Sequence, residues 1–391
     1  MTVASARIEG LCDVRFAAVH DAFADSFARG EEVGAAVSVV VDGRSVVDLF
    51  AGHADQARTR PWTRNTLVNV YSTTKGMAAL CLLQLVEQGK VDLDAPVARY
   101  WPGFEAAGKG GIPVRWLLSH RAGLPAVRSL LPNEALYDWD AMASALAAEA
   151  PWWAPGERHG YHAVTFGWLV GEVVRRVTGR SVGTYFREAI AGPLGADFHI
   201  GLPESEHPRV AEMSAMAPPP PDFEGPNLLH ALVNEPEGML ARAFMNPPSM
   251  ALGPNHAAWR SAEIPGANGH ASARGIARVY GALARGGEQD GVHVLGPETI
   301  ARASEEQSAG ADAVLALSTR IGLGFMLPQA ARDARFGPSE RAFGHPGAGG
   351  SLGFADPDAK VGFGYAMNKM GPSILVDARP LALIDAVYAS L

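Results

Sequence analysis

Ser72-Thr73-Thr74-Lys75 stands directly before an apolar run, Met77–Val86, which is followed by Gly89. The run is apolar nearly all round, so a helix there is buried rather than amphipathic. Gly89 supplies its C-terminal stop. Residues i and i+3 share one helix face, which lets the Ser72 hydroxyl and the Lys75 ammonium meet. Serine is a poor nucleophile until a neighbour takes its proton. Lysine does so once burial and the positive helix N-terminus depress its pKa. A plainer reading stands beside this one, with Ser72 as a helix cap and Lys75 in solvent. Two features favour chemistry. Lysine is scarce in a chain whose basic residues are mostly arginine, and a cation in the first helical turn opposes the macrodipole. Ser-x-x-Lys is also a signature of serine acylation.

Outward from this run, β-type residues cluster towards both ends of the chain. Ala35–Val41 and Ser45–Phe50 flank Asp42-Gly43, a strong hairpin signal. Ile321–Leu327, Ser351–Ala355 and Val361–Met367 read as short, glycine-punctuated strands, with Asp356-Pro357-Asp358 turning between the last two. Helical periodicity marks Val14–Arg29, Phe166–Val177, Ala273–Arg285 and Leu375–Leu391. The stretch Pro203–Pro265 is rich in Pro, Asn and Met and has little periodicity. Such long loops serve as lids or binding walls. These signals predict an α+β fold: one antiparallel sheet built from both termini, flanked by helices, with a mostly helical domain inserted. The expected division is 1–75 with 265–391 against 76–264, the wall loops occupying 203–264.

Composition narrows the function classes. Of 391 residues 19% are charged, the net charge is −8, and no basic block stands out. Nucleic acid and anionic membranes need a clustered basic face, so neither is an expected partner. Cys12 and Cys81 form no metal-type pair. The first ten residues carry Arg7 and Glu9 and no apolar stretch, so no secretory signal is read and the cytoplasm is the expected compartment. Nothing in the composition fixes the oligomeric state.

Two more clusters carry chemistry. Gly160-Tyr161-His162 precedes the periodic helix. A tyrosine near Lys75 would have its pKa pulled down, and could accept or relay the Ser72 proton; a packing tyrosine with a polar tip is the plainer reading. His159 and His162 lack a third ligand at useful spacing, so no metal is expected, and no cofactor. His345-Pro346-Gly347-Ala348-Gly349-Gly350 would let backbone approach a ligand closely and supply half of an oxyanion hole, the Ser72 N–H being the other half. Gly349-Gly350-Ser351-Leu352-Gly353 matches the nucleophile elbow G-x-S-x-G. That motif needs a helix after it and a histidine downstream. Here strand-type residues follow and His345 is the last histidine, so Ser351 is rejected as nucleophile.

With Leu117-Leu118-Ser119-His120-Arg121-Ala122-Gly123-Leu124, these motifs resemble the serine hydrolases of the class C β-lactamase and penicillin-binding-protein-like fold. Within that fold they are most similar to the family VIII carboxylesterases. The resemblance runs from Ala35 to the last strands. It implies Ser72 as nucleophile, with Lys75 and Tyr161 sharing general-base and relay work. It places His345-Pro346-Gly347 where the family has Lys-Thr-Gly, and implies an oxyanion held by the N–H groups of Ser72 and Ala348. Water activated at Tyr161 would then release the acyl group. Two departures count against β-lactam or peptidoglycan substrates. Ala163 replaces the Asn of Tyr-x-Asn, and His345 replaces the Lys, leaving a neutral imidazole where a fixed cation stood. The expectation is a carboxylesterase for small or short-chain esters. A β-lactamase or D-alanyl-D-alanine peptidase, and a non-catalytic binding protein on the same fold, are the alternatives.

Overall fold

The computed structural model describes residues 6–219, 228–248, 253–329 and 334–391. Its centre is a six-stranded antiparallel sheet. From the first part of the chain come β1 (Glu9–Cys12), β2 (Gly34–Val41) and β3 (Arg44–Gly52). From the last part come β4 (Phe343–Pro346), β5 (Leu352–Asp356) and β6 (Val361–Met367). The order across the sheet is β1-β3-β2-β6-β5-β4. The two ends of the chain join where β2 pairs with β6, Val41 opposite Val361 and Ala35 opposite Met367. Asp42 and Gly43 both take positive φ, 46° and 81°, the backbone of a tight type I′ hairpin turn.

Five longer helices matter for the site: α1 (Ala17–Ala28), α2 (Thr74–Glu87), α3 (Thr165–Thr178), α4 (Ala273–Ala284) and α5 (Ala378–Ala389). The alternation in β6 explains how α4 sits. Gly362 and Gly364 point one way, and a Cβ on Gly362 would lie 2.2 Å from Gly281 N of α4. The glycines thus let helix and sheet backbones touch, while Phe363 and Tyr365, turned the other way, are fully buried. On that opposite face α1 and α5 pack together. Helix α2 is buried from Thr74 to Leu85 and packs on α3, whose end is set by Gly179 at φ 69°.

Two expectations change. Residues 321–327 do not form a strand. The strand is Ser318–Ile321; the chain then turns at Gly324, φ 84°, where a side chain would meet Ala79 of α2. The stretch 203–265 is not all loop: it holds helices Leu228–Asn234, Met239–Met245 and Ala257–Ser261. At one or two turns each, they are too short to show a period. Pro220 and Pro221 of its proline run lie outside the described residues. We propose the same two-part division, 1–75 with 265–391 against 76–264, because all six sheet strands fall in the first part. No helix among the described residues is long and apolar enough to cross a membrane.

Candidate active site

Ser72 sits half-buried one residue after Tyr71, whose φ of 43° is unusual for a bulky residue. Such backbone costs roughly 1–3 kcal/mol and persists only where the surroundings enforce it. The enforcement is visible: Thr73 N and Thr74 N bond to the carbonyls of Val70 and Tyr71, at 3.1 and 3.0 Å. Lys75 N bonds to Ser72 O at 2.9 Å. The turn therefore runs straight into α2 and places Ser72 and Lys75 on one side.

The Lys75 side chain is fully buried. Its Nζ lies 3.0 Å from Ser72 Oγ, 2.6 Å from Ala163 O and 2.7 Å from Gly266 O. Burial holds its pKa well below the ordinary lysine value. No carboxylate is among its hydrogen-bond partners. Gly266 must be glycine, since a Cβ there would sit 2.8 Å from Val164 O.

Tyr161 joins them. Lys75 Nζ lies 4.8 Å from its ring centroid, and its hydroxyl interacts electrostatically with the Ser72 side chain. The sequence expectation that Lys75 pulls the tyrosine pKa down is overturned: burial pushes the Tyr161 phenol up, so it stays protonated. Asp312, which the sequence reading missed, fixes the backbone here. Its Oδ1 accepts from the N–H of Tyr161, Val314 and Leu315, at 3.0, 2.9 and 2.9 Å. The only sequence signal was an acidic residue in a run of small ones.

The neighbouring histidines are structural. His162 Nδ1 faces Gly160 O at 2.7 Å, and its Nε2 accepts from Leu124 N at 3.0 Å. Both nitrogens are thereby spent on backbone. His159 Nε2 faces Thr319 Oγ1 at 2.8 Å.

The third motif divides. Ala348 lines the same cavity as Ser72. Neither the Ser72 nor the Ala348 N–H has an acceptor among the described hydrogen bonds. His345 is buried behind Tyr161, ring centroids 6.1 Å apart, with Nδ1 on Pro346 O. Burial, and then Lys75, push its pKa down to about 3, so it is neutral and faces no open space. Gly347 is close to protein rather than ligand: a Cβ would sit 2.1 Å from Ser351 Oγ and 2.2 Å from Val70 O. Ser351 itself is buried and donates to Val70 O at 2.8 Å, tying the start of β5 to the loop of Ser72.

The cavity over Ser72 measures about 390 Å³, with Val164, Met213, Met216, Phe244 and Met370 among its walls. Among the described residues no charged side chain lines it. Asn255 braces one wall, bonding Met213 N and O at 2.9 Å each.

Comparison with known proteins places nearly the whole chain in one family. The model of the family described as Beta-lactamase matches residues 19–386. The esterase/beta-lactamase LipL of Mycobacterium tuberculosis is 36% identical over 381 residues, 96% of this chain and 86% of that protein. A family VIII carboxylesterase of known structure superposes with TM-score 0.88 at 44% identity, over 98% of this chain and 100% of the other. A penicillin-binding-protein homologue from Caulobacter crescentus gives 0.90 at 43%, with the same coverage. With its fold and nearly its whole length matched, the chain belongs to the beta-lactamase family and is a serine hydrolase of that family.

Proposed function

We propose that this hydrolase is a carboxylesterase acting on small, uncharged esters through an acyl-enzyme on Ser72. One observation carries the reading. Lys75 Nζ has three neighbours, two carbonyl oxygens and Ser72 Oγ. A neutral amine has two N–H groups and one lone pair. The carbonyls of Ala163 and Gly266 take the two N–H groups, which turns the lone pair onto the Ser72 proton. Burial without a carboxylate partner keeps the amine neutral.

The geometry supports the following steps. Ser72 Oγ attacks the ester carbonyl as Lys75 removes its proton, a contribution of about 10²–10⁴ in rate. The N–H groups of Ser72 and Ala348 hold the oxyanion. Tyr161, a neutral phenol in contact with Ser72, passes a proton to the departing alkoxide and is replenished from Lys75. Water then enters by the reverse route and releases the acid. His345 acts through Tyr161, against which its ring packs.

The cavity supports the substrate class. An apolar space of about 390 Å³ with no charged side chain among its described walls suits a neutral acyl or alcohol group. With Ala163 and a buried neutral His345, neither position offers an amide partner or a cation for a carboxylate. The test compares wild type, Ser72→Ala and Ser351→Ala on p-nitrophenyl acetate, butyrate and octanoate, with a chromogenic cephalosporin alongside. The expected result is that Ser72→Ala alone is dead, that it keeps its fold by circular dichroism, and that esters far outrun the cephalosporin. An active Ser72→Ala refutes the nucleophile; a dominant cephalosporin rate moves the function to β-lactam hydrolysis.

A further inference from the structure

The loop Gly347-Ala348-Gly349-Gly350 carries the Ala348 N–H. Backbone bonds hold it at Gly347 N to Ser351 O, 2.7 Å, and at Gly349 N to Ser373 O, 2.8 Å. One charged side chain reaches it. Arg379, at the start of α5 and only 7% exposed, donates through Nη2 to Gly349 O at 2.5 Å. The same guanidinium donates through Nη1 to Lys369 O at 2.9 Å and Glu31 O at 3.3 Å.

A buried cation in a first helical turn opposes the helix dipole, so its placement needs compensation. Asp377 supplies it at 2.8 Å from Nε, and Glu32 at 3.2 Å from Nη1. The Tyr365 hydroxyl bonds the other Glu32 oxygen. Two glycines leave room for the fork: a Cβ on Gly350 or Gly371 would lie 2.7 or 2.9 Å from Arg379 Nη2. The planar, five-donor guanidinium meets three carbonyls and two carboxylates at once; an ammonium cannot.

We propose that Arg379 is a positioning residue for the oxyanion site: by pinning Gly349 O it fixes the Gly349–Gly350 peptide, whose Gly350 N–H bonds Gly347 O at 3.1 Å, and so stops the Gly347–Ala348 peptide, which carries the Ala348 N–H, from tilting out of the cavity. This rests on the esterase reading of Ser72. The test is Arg379→Lys, assayed with p-nitrophenyl butyrate and normalised to Ser72 titrated by a fluorophosphonate, with melting temperature recorded. The expected result is a roughly tenfold fall in kcat with KM within twofold, as for an interaction used only in the transition state. Unchanged kcat in folded Arg379→Lys overturns the proposal. If Arg379→Lys yields no folded enzyme, Asp377→Asn is read instead, since it removes the negative charge and the Oδ2 acceptor of Nη2 and so loosens the fork. A threefold or greater fall in kcat at constant KM supports the proposal, and an unchanged kcat overturns it. An inactive wild type would remove the esterase reading and this proposal together; an active wild type matched by its variants removes this proposal alone.

Discussion

Gly347→Ala is the sharpest test of how the two halves of the site are held in register. The added Cβ would lie 2.2 Å from Val70 O and 2.1 Å from Ser351 Oγ, where ordinary contact begins near 3.4 Å. Ser351 cannot swing away freely, because its hydroxyl is bonded to that same Val70 carbonyl. The loop of Ser72 and the loop of Ala348 must therefore part by about 1 Å, an overpacking strain of ~1–3 kcal/mol. Val70 O also anchors Thr73 N, so the displacement reaches the nucleophile's turn. A shift of about 1 Å between reacting groups costs on the order of 10²-fold. The expectation is a fall in kcat of about 10²-fold on p-nitrophenyl butyrate, with a melting temperature lowered by only a few degrees. Ser351→Ala added to Gly347→Ala does not restore the rate, since the Val70 carbonyl still blocks the methyl. Retention of kcat within threefold in Gly347→Ala would refute the argument that this approach sets the oxyanion geometry.

Two further outcomes follow from the buried groups. In a pH profile, kcat/KM rises as Lys75 loses its proton and levels off well below the ordinary lysine value, because burial depresses that pKa. His162 and His345 are pushed down to about 3 by burial, so neither supplies a limb near pH 6.5, and Lys75→Arg removes the limb with the activity. The same depression makes the Lys75 contribution to stability rise with pH, from its folded value up to about 10.4, where the unfolded chain holds the extra proton; an acid limb unchanged in Lys75 variants contradicts the assignment. Asp312→Ala strips three backbone N–H groups of their acceptor and should lower stability by about 3 kcal/mol in urea titrations, with a parallel loss of kcat through Tyr161. Asp312→Asn, which keeps an acceptor oxygen, should recover most of both; equal losses in the two variants count against the positioning role.

Local signals were readable in the sequence wherever one short segment determines its own shape. Asp42-Gly43 fixed the hairpin, and Val361–Met367 matches β6 to the residue. The Ser72–Lys75 spacing is a property of a single helical turn and needed no partner. What was hidden depends on residues far apart in the chain. The Tyr161 pKa went the wrong way because sequence shows the nearby cation but not the burial. Asp312 and Arg379 act on backbone atoms about 150 and 30 residues away, and no local pattern announces such a contact. Gly347 was rightly singled out as a close-approach glycine, yet what approaches is the Val70 carbonyl rather than a ligand.

The pairing of β2 with β6 also bears on how the molecule comes into being. During synthesis β2 emerges early, but its partner follows some 320 residues later. At about 5–20 residues per second, the hairpin spends tens of seconds with one long, apolar edge unsatisfied, the kind of edge that invites pairing with other chains. The Ala348 loop arrives in that same late segment, long after Ser72 and Lys75 have been made. On the proposed reading, a nascent chain therefore carries its nucleophile well before it holds a complete oxyanion site, and hydrolytic competence should switch on only as the last strands close the sheet.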